Sequence, residues 1–207
     1  MDIFTQSTKL SEELYKVINC PLCDNSARVV ISDVACSLSL EHWHSIRITL
    51  ELGYLPSALV VHRSQFESIV CSIWLLYSAS DAQLAKLSVE LTLESEQEAK
   101  NIPQMSLMMD ALAKDAPIEA FKALSRFKDH SWKALNSYVH AGIHPIRRHS
   151  EGYPVKLIHD VLKNANGLAI LACMQSVVLS GRLPLQREIL KLAEKRAICM
   201  PPILNNL

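Results

Sequence analysis

Apolar residues recur along the chain three and four positions apart, the spacing that puts them on one face of a helix. Read this way, the pattern predicts helices over residues 8–19, 24–52, 56–78, 80–101, 104–114, 117–140, 154–180 and 185–197. Asp24 is the expected cap of the second, and Val30, Val34, Leu38, Ile48 and Leu52 are its expected apolar face. The third is apolar nearly all round, which places it at the centre of the molecule. In the fourth, a stripe of Leu84, Leu87 and Leu91 fades into an acidic end. β-branched runs such as Val29-Val30-Ile31 and Val177-Val178 fall inside longer helical patterns, so no strand is predicted. The expected fold is all-α, a single helical bundle of about seven to eight helices over residues 1–199, followed by a short tail, 200–207.

Proline and glycine support these boundaries. Pro56, Pro103, Pro117, Pro154 and Pro184 each precede a helical stretch, where a missing N–H costs nothing, and Gly53 and Gly181 each follow one, as C-caps do. With 49% hydrophobic residues the 207-residue chain can bury a sizeable core, which excludes a disordered tail or a disulfide-dense miniprotein. Residues 1–19 hold no unbroken apolar run of the signal-peptide kind. The richest apolar stretches, 68–79 and 167–179, fall short of the roughly 20 residues that span a bilayer, so they read as core helices and no membrane partner is expected. Cys36, Cys71 and Cys173 lie among apolar residues, where a thiol acts as a small hydrophobe, and the expectation is a cytoplasmic, reduced protein. Cys20-Pro-Leu-Cys23 stands apart. It reads as an inter-helix turn, with zinc binding through His42 or His44, or a redox motif, as the alternatives. No cofactor is expected.

The formal charge is zero, with 21 basic and 21 acidic residues, yet it is segregated. Residues 1–119 carry a net −8 and residues 120–207 a net +8, and the steepest change lies at 120–150, with six basic residues and one acidic. Solvated helix faces that pair with one another explain this, and so does a basic surface that attracts phosphate or an acidic partner.

Two polar constellations stand out. Arg63 and Glu67 are the only formal charges between Tyr54 and Ser80, four residues apart and so on one face. Such a pair is either an internal salt bridge that fixes helix packing or the lining of a site, with Glu67 orienting Arg63 toward an anion. The other is a predicted loop, Asn136-Ser-Tyr138-Val-His140-Ala-Gly142-Ile-His144-Pro-Ile-Arg147-Arg148-His149, with three histidines and two arginines between His140 and His149. Imidazoles titrate near neutrality, so His140 and His144 are candidate acid–base residues. Tyr138, Arg147 and Arg148, with Arg63 and Glu67, are candidate ligand-binding residues. A helix-capping role for one histidine is the structural alternative. Gly142 and Pro145 interrupt the His140–His144 spacing and no HExxH pattern is present, so no metal ligand is assigned. In His42-Trp43-His44 the two rings fall on different sides of a helix; His44 is a satellite candidate and His42 a surface residue.

The Arg63-x-x-x-Glu67 helix followed by Ser137-Tyr138-Val139-His140-Ala141-Gly142 resembles a group of uncharacterised bacterial all-helical families. The likeness covers residues 56–78 and 132–180 and implies an all-α domain of unknown activity. A looser likeness is to the HEPN superfamily of helical bundles, which includes ribonuclease toxins and phage-defence proteins. Their active members carry an R-x4-6-H motif on or just after the last long helix. Arg126-Phe-Lys-Asp-His130 has three intervening residues and Arg147-Arg148-His149 is more compact still, so the likeness implies an inactive or regulatory HEPN-like module.

The function expected from these residues is a nucleotide- or RNA-binding module of a defence or toxin–antitoxin system. Arg63, Arg147 and Arg148 would hold phosphate, and His140 or His144 would transfer protons in any cleavage step. The alternative is a non-catalytic interaction or oligomerisation module, in which the acidic 81–119 stretch meets a basic partner surface or the basic 120–150 stretch of a second copy. A metal-dependent hydrolase using His140, His144 and Glu67 is the third reading. The sequence leaves open whether the protein is an enzyme.

Overall fold

The helix that is apolar on all sides takes the central place. In the computed structural model, which describes residues 2–99 and 102–202, it runs Leu55–Tyr77 and packs against four other helices. The described residues form ten α-helices and no strand: α1 (Ile3–Ile18), α2 (Ala27–Glu51), α3 (Leu55–Tyr77), α4 (Asp81–Ser88), α5 (Leu93–Ala99), α6 (Met105–Asp115), α7 (Ile118–Val139), α8 (Ile143–Glu151), α9 (Val155–Leu179) and α10 (Leu185–Lys195). A 3-10 turn, Ala197–Cys199, follows. The all-α bundle is as expected. The two helices beyond the expected number arise because the fourth predicted helix breaks in two and the histidine loop is itself helical.

Each difference has a local cause. α4 is held at its start by a capping box between Ser80 and Gln83 and ends at Val89, and a second cap opens α5, where Thr92 Oγ1 accepts the Ser95 N–H at 3.1 Å. In α8, Pro145 is the third residue, within the first turn whose N–H groups have no helical partner, so proline does not interrupt it. The cap of α2 is Ser26 rather than Asp24. Asp24 Oδ1 accepts the Ser26 N–H at 2.8 Å, which sets the turn before the helix. Gly53 and Gly181 do end helices, with φ of +83° and +69°.

The face that α2 buries is not the expected one. Val30, Val34, Leu38, Ile48 and Leu52 are exposed, and Val29, Cys36, Leu40, Trp43, Ile46 and Leu50 form the core side together with Ser32 and Ser39. Small residues are what the close approach of α2 to α3 requires. Ser32 Oγ donates to Ser72 O and Ser72 Oγ donates to Ser32 O, both at 2.8 Å, and Ser39 Oγ donates to Gln65 O at 3.0 Å. Arg28 adds a terminal clamp. Its guanidinium donates to the carbonyls of Leu75 (2.8 Å) and Ala79 (2.7 Å), supplying donors and positive charge where α3 ends.

Two fully buried polar residues tie the other elements in. Asn166 on α9 accepts from Ser7 Oγ of α1 (2.9 Å) and Trp43 Nε1 of α2 (2.8 Å), and donates to Cys199 O (2.7 Å). Gln65 on α3 donates to Ala165 O (3.0 Å), which turns its Oε1 toward His62 and fixes the proton on His62 Nδ1 (2.9 Å). At the surface, Glu13 of α1 accepts from Lys195 and Arg196, and these cations hold its carboxyl down at about 2. By length and composition alone α9 could cross a membrane, but 56% of its most apolar window is buried inside the bundle.

Candidate functional site

The histidine-rich segment forms the corner where α7 turns into α8. α7 ends at Val139, His140 is its C-cap, and Ala141 turns the chain with φ of +49°. Gly142 then lies against Ser137. Its N–H donates to Ser137 O at 2.7 Å, and a Cβ there would stand 2.5 Å from Ser137 Oγ. Ser137 Oγ in turn accepts the His144 N–H at 3.2 Å, which caps α8 from the preceding helix. The spacing of Ser137, Tyr138 and Gly142 is thus the requirement of a tight helix–helix corner. Gly142→Ala is expected to cost about 1–3 kcal/mol, the usual effect of overpacking a filled space. Chemical denaturation measures it, and an unchanged midpoint would show that the corner does not depend on this contact.

Tyr138 is buried beneath α8, its ring stacked on His144 with centroids 6.3 Å apart. Burial pushes its hydroxyl pKa up, and Arg148 works against that shift. His140 and His144 are both exposed. Arg147 pairs with Glu151, and His149 Nδ1 lies 2.8 Å from the Tyr153 hydroxyl. No residue of α8 is buried, and Ile143 and Ile146 are 71% and 61% exposed, so the helix presents apolar and cationic side chains together. On α7, Lys122, Arg126, His130 and Lys133 are exposed along one stripe at helical spacing. Among the described residues Arg126, Lys133 and Arg148 have no ion-pair partner.

Arg63 and Glu67 stand elsewhere. Arg63 Nε and Nη2 donate to Glu67 Oε1 at 3.2 and 3.1 Å, and the guanidinium lies 4.8 Å over the ring of Trp132. The pair is half-buried on the α3–α7 seam, beside Phe66, which stacks on Phe127. Trp132 and Tyr138 are six residues apart on α7, about 9 Å along its axis. Among the described residues no hydrogen bond, ion pair or ring contact joins Arg63 and Glu67 to Tyr138, His140 or His144, so the predicted residues fall into two groups.

Residues 36–202 match the model of a family of unknown function, DUF6988. The chain belongs to that family. No curated protein matches the chain, and no solved structure does. The DUF6988 match takes in the whole of α3 through α10, with both groups of candidate residues, and begins inside α2.

Sequence reasoning missed a third feature of this DUF6988 protein. A cleft of about 680 Å³ opens between the end of α1, the Cys20–Cys23 turn, α2 and α9, and Asp33 lines it. The signal was present: Asp33 is the only charged residue from Val29 to Leu40, the same kind of isolation that marked Arg63 and Glu67. The Cys20-Pro-Leu-Cys23 segment is the turn from α1 to α2, anchored where Cys23 N–H donates to Leu179 O at 2.9 Å. Among the described residues no three His, Cys, Asp or Glu side chains gather as metal ligands do, and neither the Cys20–Cys23 turn nor the His140, His144 and Glu67 set makes such a group.

Proposed function

We propose that this protein is a phosphate-binding helical module that takes up single-stranded RNA along the exposed face of α7 and α8. The observation that carries the reading is the run of exposed or half-exposed cations, Arg126, Lys133 and Arg148, that have no acidic partner among the described residues and lie in the segment of steepest positive charge. Phosphate neutralisation supplies most of the affinity of such a surface, and bases stack on the imidazole or apolar groups beside it. Here those groups are His140, His144 and Ile146. Arg63 belongs to the packing of α3 on α7 in this reading, since Glu67 and Trp132 occupy its guanidinium. A place in a cytoplasmic defence or toxin–antitoxin system, as an HEPN-like module, goes with it. So does a role for His140 or His144 in proton transfer, tested by incubating RNA with His140→Ala and His144→Ala.

Fluorescence anisotropy with a short labelled oligouridylate tests the binding. Three phosphate contacts give a slope of about −2 in log K against log salt, at about −0.7 per contact on a single strand. Lys133→Glu and Arg148→Glu are each expected to weaken binding by about tenfold and to flatten the slope. Binding that ignores salt, or that survives both reversals, would overturn the proposal.

A second reading has its own observation. Leu91, just before α5, and Leu93, its first residue, are 86% and 82% exposed, beside Glu90, Glu94 and Glu96. They complement Ile143, Ile146, Arg147 and Arg148 in kind and charge, as an interface between two copies would. Oligomer size that falls with added salt is its signature, and a salt-insensitive monomer counts against it.

A further inference from the structure

We propose that the cleft between α1, α2 and α9 is a binding site for a small amphiphilic amine, an apolar body carrying one ammonium group, with the Asp33 carboxylate as the ammonium acceptor. Asp33 is half-buried at the wall of the cleft and, among the described residues, has neither an ion pair nor a hydrogen bond. Taking a carboxylate out of water without a partner is costly, and an arriving ammonium would remove that cost. Burial alone already pushes the Asp33 carboxyl pKa upward. Ser37, one turn further along α2, lines the same wall, and Asn19 and Ser176 bring further polar atoms from α1 and α9.

The rest of the lining selects the body of the ligand. Tyr15, half-exposed and stacked on Trp43, offers an aromatic surface, and Leu22 and Leu40 add aliphatic ones. A cleft of about 680 Å³ holds a small organic molecule and is far larger than a bare ion needs. A single carboxylate is also too few ligands for a divalent cation. Lys16, an exposed residue, also lines the cleft; its charge opposes every positive group there, and Asp33 offers one carboxylate to offset it, so a second positive group on the ligand would meet repulsion alone. The site therefore suits a monoamine rather than a polyamine. No residue of α7 or α8 lines it, so amine binding here and RNA binding there are tested separately.

Calorimetric titration of the full chain with phenethylamine tests this, with 2-phenylethanol as the probe that keeps the body and replaces the ammonium by a hydroxyl. The expected result is saturable binding of the amine, with the alcohol about tenfold weaker or worse. Asp33→Asn is expected to weaken the amine by about tenfold and to leave the alcohol unchanged. The comparison of the two probes on the unaltered chain stands even if the variant folds poorly. Equal affinity for amine and alcohol, amine binding that survives in a folded Asp33→Asn, or no amine binding at all would each overturn the proposal.

Discussion

Asn166→Ala is expected to remove about 4 kcal/mol of stability, a large part of the roughly 5–15 kcal/mol that holds a domain of this size. The residue is fully buried, and its amide is the meeting point of α1, α2, α9 and the Ala197–Cys199 turn. Truncation strands the Trp43 indole N–H and the Cys199 carbonyl inside the core. Each such group costs about 1–3 kcal/mol, and the lost side-chain volume adds a cavity term. Ser7 escapes more cheaply, because its hydroxyl can rotate to a carbonyl of its own helix. Urea denaturation followed by circular dichroism measures the difference. A loss below about 1 kcal/mol would mean that the network does not bind these elements together. Asn166→Asp retains the acceptor but loses the donor to Cys199 and buries a charge, so it is expected to be no milder than alanine.

The second large effect is a dependence of stability on pH that originates in His62. This side chain is fully buried, donates Nδ1–H to Gln65, and has no hydrogen-bond partner for Nε2 among the described residues. Burial in apolar surroundings holds its pKa down to about 4, against 6.5 in the unfolded chain, and the bond to Gln65 offsets only part of that shift. Its folded pKa lies below its unfolded one, so below pH 6.5 the unfolded state takes up the proton first. The stability that depends on neutral His62 is therefore complete above pH 6.5 and falls away between 6.5 and about 4. The whole change is about 3 kcal/mol at 1.36 kcal/mol per unit. Glu13 acts in a different window, since its stabilisation is complete above pH 4.5 and is lost only as pH falls toward 2. His42 is half-buried and shifted in the same direction as His62, so the comparison is between the slopes of the native chain and His62→Leu. The variant is expected to be less stable at pH 8, because Gln65 loses its partner, yet flatter between pH 6.5 and 4.5. Equal slopes in the two proteins would assign the acid sensitivity to another group.

What the sequence revealed follows from which interactions are local. α3, α7 and α9 were legible because long apolar periodicity and flanking prolines are properties of neighbouring residues. The buried face of α2 was not. A pattern that weighs size and hydrophobicity favours Val34 and Leu38 over Ser32 and Ser39, whereas the serines are buried because each hydroxyl meets a backbone carbonyl of the facing helix. α8 was hidden by Pro145 and Gly142, two residues that usually end helices. Here Gly142 forms the corner and Pro145 occupies the one turn that tolerates it. The candidate residues were identified by type, but their grouping was not, because Arg63 and Tyr138 are brought to different heights on α7 by the register of α3 against it. Asp33 was overlooked for want of a partner in the sequence, which is also what makes it notable in the cleft.

The support of α8 has a dynamic consequence. It rests on α7 through the Ser137 corner and the Tyr138 ring, and none of its residues is buried. Its opening therefore exposes little apolar surface beyond the Tyr138 ring, and its amides are expected to exchange with solvent by a local route long before the core helices unfold. The cations of α7 sit on a helix anchored in the core by Leu124 and Leu135, while those of α8 ride on a leaf with no buried residue of its own. A ligand that spans both must first hold the leaf down, and amide protection in α8 is where that work registers.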